Sequence, residues 1–154
     1  MAYQKLQAGR ALAVIPSDTV NIPNVAVVAK AGTTTGANTL SLIDSTGNFI
    51  VNRVNVGDIV YAGTVAAKVT AVSNATTLLV TIAVPAATAY TVYSQKDNPS
   101  NGCVLYCGGT GNVDIMTTGG DIVSLKGMPA GQFIPVQVLR VNATSTATNI
   151  IALW

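Results

Sequence analysis

Residues 103–116, CVLYCGGTGNVDIM, contain two short apolar runs separated by a glycine-rich stretch. The runs Cys103–Cys107 and Asn112–Met116 have the length and residue types of β-strands. Residues 108–111 between them lack the Gly-Lys-Ser/Thr ending and the following helix of a phosphate-binding loop, so we interpret them as a turn. This part of the chain therefore predicts two strands joined by a tight connection.

The same pattern recurs along the chain. Runs of β-branched and apolar residues alternate with Gly, Asn, Pro or Asp at short intervals, which is typical of a sandwich or barrel. No segment has the apolar spacing of a helix. We therefore predict an all-β fold with strands at Ala11–Ile15, Val25–Lys30, Thr39–Ile43, Asp58–Tyr61, Thr64–Val72, Thr77–Ile82, Tyr90–Tyr93, Cys103–Cys107, Asn112–Met116, Ile122–Leu125, Phe133–Asn142 and Asn149–Leu153.

Two polar stretches that contain proline divide the chain, one from Pro16 to Pro23 and one from Ser94 to Gly102. Such stretches are typical of domain borders. We predict that residues 10–23 and 99–154 form one sandwich or barrel domain from the two chain ends. Residues 24–98 are then a second, small β-barrel-like domain inserted into the first.

The two ends of the chain differ in character. Residues 1–9 are polar and aperiodic, and we interpret them as an N-terminal arm that orders on a neighbouring molecule, with a frayed terminus as the alternative. In Asn149–Trp154, four apolar residues follow Asn149 and the segment ends with the only Trp. Because chain ends fray unless something holds them, this segment is predicted to be a strand. Trp154 would cover the core or a subunit contact, with its indole N–H bound to an acceptor.

The two cysteines, Cys103 and Cys107, lie in one predicted strand. Four residues of strand span ~13 Å, whereas a disulfide needs Cα atoms within roughly 7 Å. We therefore expect two reduced thiols on one strand face, as is usual for assembly inside a cell.

The residue types that commonly carry catalysis are missing. The chain has no His, and its six acidic residues are all Asp. No imidazole can activate a Ser or Cys, and no Glu can act as a general acid. A Cys-x3-Cys pair without further ligands is a poor zinc site, and Asp-x-Asp-x-Asp loops are absent. We expect no enzymatic activity, catalytic residue, cofactor or metal site, leaving only Asp side chains that meet across subunits as conceivable calcium ligands.

Turn positions account for most of the acids. Asp bonds readily to nearby backbone in turns, which is the role we predict for five of them. Asp114 instead lies inside a strand, where it would face solvent if Val113 and Ile115 point inward. The five turn residues are Asp18, Asp44, Asp58, Asp97 and Asp121.

Charge and hydropathy argue against nucleic acid and membrane as partners. Eight Lys and Arg residues against six acids give a formal charge of +2, scattered along the chain without a basic cluster. No apolar run approaches the ~20 residues of a membrane helix, and the start MAYQKLQAGR is not a signal peptide. The few aromatic residues are dispersed, so the sequence predicts neither a base-stacking platform nor a carbohydrate-binding strip.

The composition favours self-association. Apolar residues make up 49% of the chain and charged residues only 9%, against roughly 25% charged in ordinary soluble domains. Low surface charge removes the repulsion that keeps proteins apart. We therefore expect an obligate homo-oligomer, with a trimer as the preferred state.

Both ends of the chain resemble small head-surface proteins of tailed bacteriophages, the decoration (cement) and head-spike-base family. The resemblance covers residues 10–23, which begin RALAVIPSDT, and about 102–154. In the second part it rests on Leu-Tyr, Gly-Gly-x-Gly-Asn, Pro-Ala-Gly, Pro-Val-Gln-Val and the closing Thr-Asn-Ile-x-Ala-Leu-aromatic. The middle block, residues 24–98, departs from the pattern of the short family members and resembles an inserted segment.

This resemblance implies a β-rich, oligomeric virion protein on the capsid surface, assembled in the host cytoplasm. Its partners would be copies of itself and the major capsid protein, with a spike or fibre protein as a further partner. The leading hypothesis is a cement protein that clamps neighbouring capsomers. The alternatives are a base or adaptor for a head spike or tail fibre and, less favoured, a glycan-binding or glycan-degrading virion protein.

Overall fold

The computed structural model describes residues 8–36, 39–97 and 99–154. Within them no helix is present, and so none that could cross a membrane. Every strand predicted from the sequence overlaps an observed one, which confirms the all-β fold class. The strands are β1 (Ala11–Ala13), β2 (Val28–Thr33), β3 (Thr39–Ile43), β4 (Ile59–Ala62), β5 (Val65–Asn74), β6 (Thr77–Val84), β7 (Ala89–Tyr93), β8 (Cys103–Cys107), β9 (Gly111–Thr117), β10 (Ile122–Met128), β11 (Gln132–Val141) and β12 (Ile150–Leu153).

Strand β2 begins and ends later than the sequence predicts. The side-chain Oδ1 of Asn24 accepts a hydrogen bond from the N–H of Ala26 at 2.8 Å, which forms a local turn. The Gln95 amide also bonds both the N–H and the carbonyl of Asn24. These contacts hold the backbone in a non-strand conformation before Val28, so the ladder starts there.

The chain divides into two compact units. Unit 1 contains the described residues up to Ile22 together with Asn101–Trp154, and unit 2 is Pro23–Ser100. These borders fall beside those predicted from the sequence. Of the predicted arm at residues 1–9, residues 1–7 lie outside the described part of the chain, while the N–H of Gly9 donates to the carbonyl of Trp154.

Unit 1 is a six-stranded antiparallel sheet in the order β1-β12-β8-β11-β9-β10. The C-terminal strand β12 lies between β1 and β8, which confirms the strand predicted at the chain end. One side of the sheet covers a core to which nearly every strand contributes. The buried residues of this core are Ile22, Cys103, Leu105, Cys107, Val113, Ile115, Ile134, Val138, Val141, Ala147, Ile150 and Ala152.

Strand β11 tolerates a proline although it lies in the middle of the sheet. Proline has no N–H to donate to a neighbouring strand. The register between β11 and β8 shifts between Ile134 and Val138, and Pro135 lies within this irregular stretch. Ile134 and Val138 are both buried, so the bulge keeps the apolar side chains on either side of the proline in the core.

Unit 2 is a second six-stranded sheet in the order β2-β7-β4-β5-β6-β3. The long strand β5 pairs with β4 through its first half and with β6 through its second half, so the sheet bends along it. The N–H groups of Thr35 and Gly36, after β2, donate to the carbonyl of Ile43 at the end of β3. The two edge strands therefore approach each other at one end, as in a small barrel, around a core that includes Leu42, Phe49, Val60, Val69, Leu78, Val80, Val84, Tyr90 and Val92.

The end of the chain is held by both backbone and side chain. The N–H of Trp154 donates to the carbonyl of Arg10 at 3.1 Å, and the Trp154 ring packs against the unit 1 core. Its buried indole Nε1 has no hydrogen-bond partner among the described residues, so the expectation of an acceptor is wrong for this part of the chain.

Deleting Leu153 and Trp154 should lower the melting temperature. The deletion removes the Ala11–Leu153 pair and the apolar cover of the core. A loss of about 2–3 kcal/mol for the two side chains, at roughly 2–4 °C per kcal/mol, corresponds to roughly 5–10 °C in a thermal melt followed by circular dichroism. Trp154→Phe keeps the backbone hydrogen bonds and should melt close to wild type; equal losses for both variants would contradict the role assigned to the strand.

Gly111, at the start of β9, should resist substitution. A Cβ at this position would lie 2.7 Å from the Cα of Ala147, a backbone atom that cannot rotate away. We expect Gly111→Ala to lower the free energy of unfolding by about 1–3 kcal/mol in urea denaturation. Gly119→Ala is the control, because its Cβ would meet nothing closer than 3.4 Å; a Gly111→Ala protein as stable as this control would refute the close packing.

Candidate functional site

The outer side of the unit 1 sheet is apolar across four neighbouring strands. Side chains alternate along β8, and because Leu105 is fully buried in the core, Val104 and Tyr106 point outward. Strands β1, β12 and the beginning of β11 add outward side chains in register with these two. We call this surface the outer apolar face; it consists of Ala11, Ala13, Val104, Tyr106, Phe133, Ile151 and Leu153.

A cross-strand row that includes both aromatic residues runs through the outer apolar face. Ile151 pairs with Tyr106 across β12 and β8, and Tyr106 pairs with Phe133 across β8 and β11. The two rings lie with their centroids 5.2 Å apart at 58°, and Phe133 is 59% exposed. Although the aromatic residues are dispersed along the sequence, the register brings these two together at the surface.

The hydropathy pattern of β8 and β12 differs from that of a strand with one face exposed to solvent. Their sequences, CVLYC and IIAL, are apolar at inward and outward positions alike. Continuous apolar strands are typical of sheets covered on both sides. This missing alternation is the sequence signal that could have identified the outer apolar face; the pairing of Ala11 with Leu153 needs the structure.

Strands β9 and β10 carry both polar and apolar side chains on the rest of the outer side, where Ile122, 68% exposed, pairs with Met116. Asp114 is half-buried and faces outward between the buried Val113 and Ile115, as predicted. Hydrogen bonds from the hydroxyls of Ser124 and Thr144, with Lys126 nearby, hold the pKa of the Asp114 carboxyl below its ordinary value. Asp114 and Lys126 therefore distinguish this part of the outer side from the outer apolar face, which carries no charged side chain.

Unit 2 has a groove between the start of β2 and the loop before β4. It has a volume of about 640 Å³ and combines apolar side chains with two cations and one acid. We call it the unit 2 groove; its lining residues are Val27, Val28, Ala29, Ile50, Asn52, Arg53, Val54, Asn55, Val72, Ser94, Lys96 and Asp97.

The loop at residues 44–58, which forms one wall of this groove, is held by two buried aspartates. Asp44 Oδ2 accepts a hydrogen bond from the Tyr90 hydroxyl at 2.7 Å, and its Oδ1 accepts from the N–H and hydroxyl of Thr46. Burial raises the pKa of Asp44, but these bonds and the nearby Lys30 outweigh burial, so its pKa is lowered. Asp58 accepts from the N–H groups of Asn55 and Gln95, both at 2.8 Å.

These contacts account for several aspartates predicted at turns. The local bonds of Asp44 and Asp58 confirm that role, and the N–H of Asp121 donates to the hydroxyl oxygen of Thr117. Asp18 is different, because its Oδ1 accepts from the N–H of Ala143, which is distant in sequence. It ties two loops together, and nothing in its local sequence reveals the partner.

The first two N–H groups of the glycine-rich turn are used inside the fold. The N–H groups of Gly108 and Gly109 donate to the carbonyls of Asn149 and Thr148 at 3.0 and 2.8 Å. The turn between β8 and β9 thus fastens the segment before β12, in agreement with its interpretation as a turn.

The two cysteines are both free and buried on the inward side of β8, as expected. Burial raises the pKa of the Cys103 thiol to about 12, and the Cys107 thiol donates to the carbonyl of Gly109. Cys103 therefore stays protonated near neutral pH and acts as a small core residue. Across residues 8–36, 39–97 and 99–154, no three His, Cys, Asp or Glu side chains come together to hold a metal ion.

Comparison with known proteins gives no relative: no protein-family model, no curated protein and no solved structure matches this chain.

Proposed function

We propose that this chain is a non-enzymatic structural protein of a tailed-phage virion, a homotrimer that decorates and stabilises the capsid. The observation that carries the proposal is the outer apolar face. In its cross-strand row Phe133 is 59% exposed and Tyr106 and Ile151 are half-buried, and covering the apolar surface that they leave in water is favourable.

A second copy of the chain suits this face better than a charged partner. All its side chains are uncharged, so two copies can pack together without burying an unpaired charge. The low charge of the whole chain, 9% of residues, also weakens repulsion between copies. An interface of the obligate class buries roughly 2,000–5,000 Å² in total, which an apolar sheet face extended by neighbouring loops can provide.

The capsid as location is supported by the resemblance of residues 10–23 and 102–154 to phage head-surface proteins. Decoration needs only many weak contacts that symmetry repeats, because avidity then makes the attachment strong. Such a role uses rigid β-surfaces and no reactive group, which is the kind of surface that unit 1 offers.

The proposal is tested with heads assembled without this protein. Purified protein should form trimers by light scattering at micromolar concentration and sediment with these heads, and a cryo-electron map should show added density at or near threefold positions. The decorated heads should also resist heating better. A monomer that does not bind heads, or a preparation that degrades capsular polysaccharide, would contradict the proposal.

A further inference from the structure

The loop that borders the unit 2 groove holds apolar side chains in water. Ile50 is 62% and Val51 80% exposed, although Phe49 before them and Val54 after them are buried in the core. Backbone hydrogen bonds close the turn between these anchors, from Arg53 to Ile50 and from Val54 to Phe49. Because both ends are fixed, the two exposed side chains cannot fold inward.

The start of β2 extends this apolar surface. Val27 and Val28 are 51% and 52% exposed, and both line the unit 2 groove. Strand β2 is an edge strand that pairs with β7 on one side only. The groove therefore combines exposed apolar side chains with an edge to which an extended segment could add.

The surface charge of unit 2 is more positive than its sequence suggests. Two of its three acids, Asp44 and Asp58, are only 1% and 0% exposed, and their carboxylate oxygens accept hydrogen bonds from inside the unit. Asp97 is the exposed acid, whereas the cations of unit 2 are Lys30, Arg53, Lys68 and Lys96. Two of these cations, Arg53 and Lys96, line the unit 2 groove, whereas Asp97 is the one acid among its lining residues.

We propose that the unit 2 groove binds an extended, acidic and apolar segment of a partner protein. Apolar side chains of the segment would cover Ile50 and Val28, and its carboxylates would meet Arg53 and Lys96. A second copy of the groove is a poor occupant, because two surfaces with the same excess of cations repel each other. This proposal does not depend on the outer apolar face or on a capsid location.

The test uses the full-length protein and dye-labelled synthetic peptides in fluorescence anisotropy. The probe is an eight-residue peptide of alternating Asp and Leu, compared with alternating Lys and Leu. We expect the acidic peptide to bind and the basic one not to, with affinity falling as salt rises from low to high concentration. Vesicles of phosphatidylglycerol form a third arm, and they should bind no better than neutral vesicles.

Matched substitutions locate the binding. Arg53→Glu with Lys96→Glu should weaken acidic-peptide binding by roughly tenfold or more, equivalent to ~1.4 kcal/mol, whereas Lys68→Glu, outside the groove, should leave it within about twofold of wild type. Ile50→Ser should also weaken it, and Leu40→Ser, a comparably exposed residue of β3 at 59%, should not. Circular dichroism confirms that each variant is folded.

Three results would overturn the proposal. They are equal binding of both peptides, equal loss in the groove variants and their controls, and binding to anionic vesicles that the acidic peptide does not compete away. The last would assign the groove to a lipid surface. None of these results bears on trimer formation, which light scattering measures separately.

Discussion

Replacing Ile151 with Lys should yield monomers if the protein is the homotrimer that we propose. Ile151 lies in the middle of the outer apolar face, between Ala13 on β1 and Tyr106 on β8. In a homo-oligomer formed through this face, each copy would bury an unpaired ammonium group. Such a charge costs an interface about 3–5 kcal/mol, which corresponds to an affinity lower by roughly two to four orders of magnitude. Light scattering and analytical ultracentrifugation at micromolar concentration measure the change.

Ile82→Lys is the matched control for this experiment. Ile82 lies on β6 of unit 2 and is 37% exposed, so the same chemical change is made on a strand that does not belong to the face. The control should have the same mass in solution as the wild-type protein, and both variants should keep the same β-rich circular dichroism spectrum. If Ile151→Lys and Ile82→Lys had the same mass, the outer apolar face would not be the interface.

The strands could be predicted because their ends are marked locally. Glycine, proline and Asx turns delimit the apolar runs, and each run carries enough β-branched residues to exclude a helix. The start of β2 was predicted too early, because it depends not only on the local Asn24 turn but also on Gln95, which bonds Asn24 from 71 residues away. A local sequence pattern cannot predict such a long-range contact.

The candidate sites depended more strongly on tertiary pairing. Asp58 and Asp97 both precede or follow turn residues, yet one is fully buried and the other exposed. The basic surface of unit 2 follows from that difference, so it could not be obtained by counting charges. The sequences CVLYC and IIAL indicate part of the outer apolar face, but its extent depends on which strands are neighbours.

Replacing Asp44 with Ala should destabilise unit 2 more than any exposed substitution. Asp44 is the acceptor for the Tyr90 hydroxyl and for the N–H of Thr46, and Tyr90 is itself 3% exposed. Leaving a buried donor without its acceptor costs about 1–3 kcal/mol. With two donors affected, we expect the free energy of unfolding in urea at pH 7 to fall by roughly 3 kcal/mol. Asp97→Ala, on an exposed side chain, should stay within about 0.5 kcal/mol of wild type.

The pH dependence of this difference tests its electrostatic part. The hydrogen bonds and Lys30 lower the pKa of Asp44 in the folded protein, whereas the unfolded chain keeps the ordinary value of 3.8. A carboxyl whose folded pKa is depressed binds fewer protons when folded, so its stabilising effect is complete above pH 3.8 and is lost as the pH falls through the folded pKa. The gap in stability between wild type and Asp44→Ala should therefore be largest near neutral pH and narrow below that value, because acid weakens the wild type alone at this position. A gap that stayed constant or widened in acid would show that Asp44 stabilises the loop only as a neutral hydrogen-bonding group.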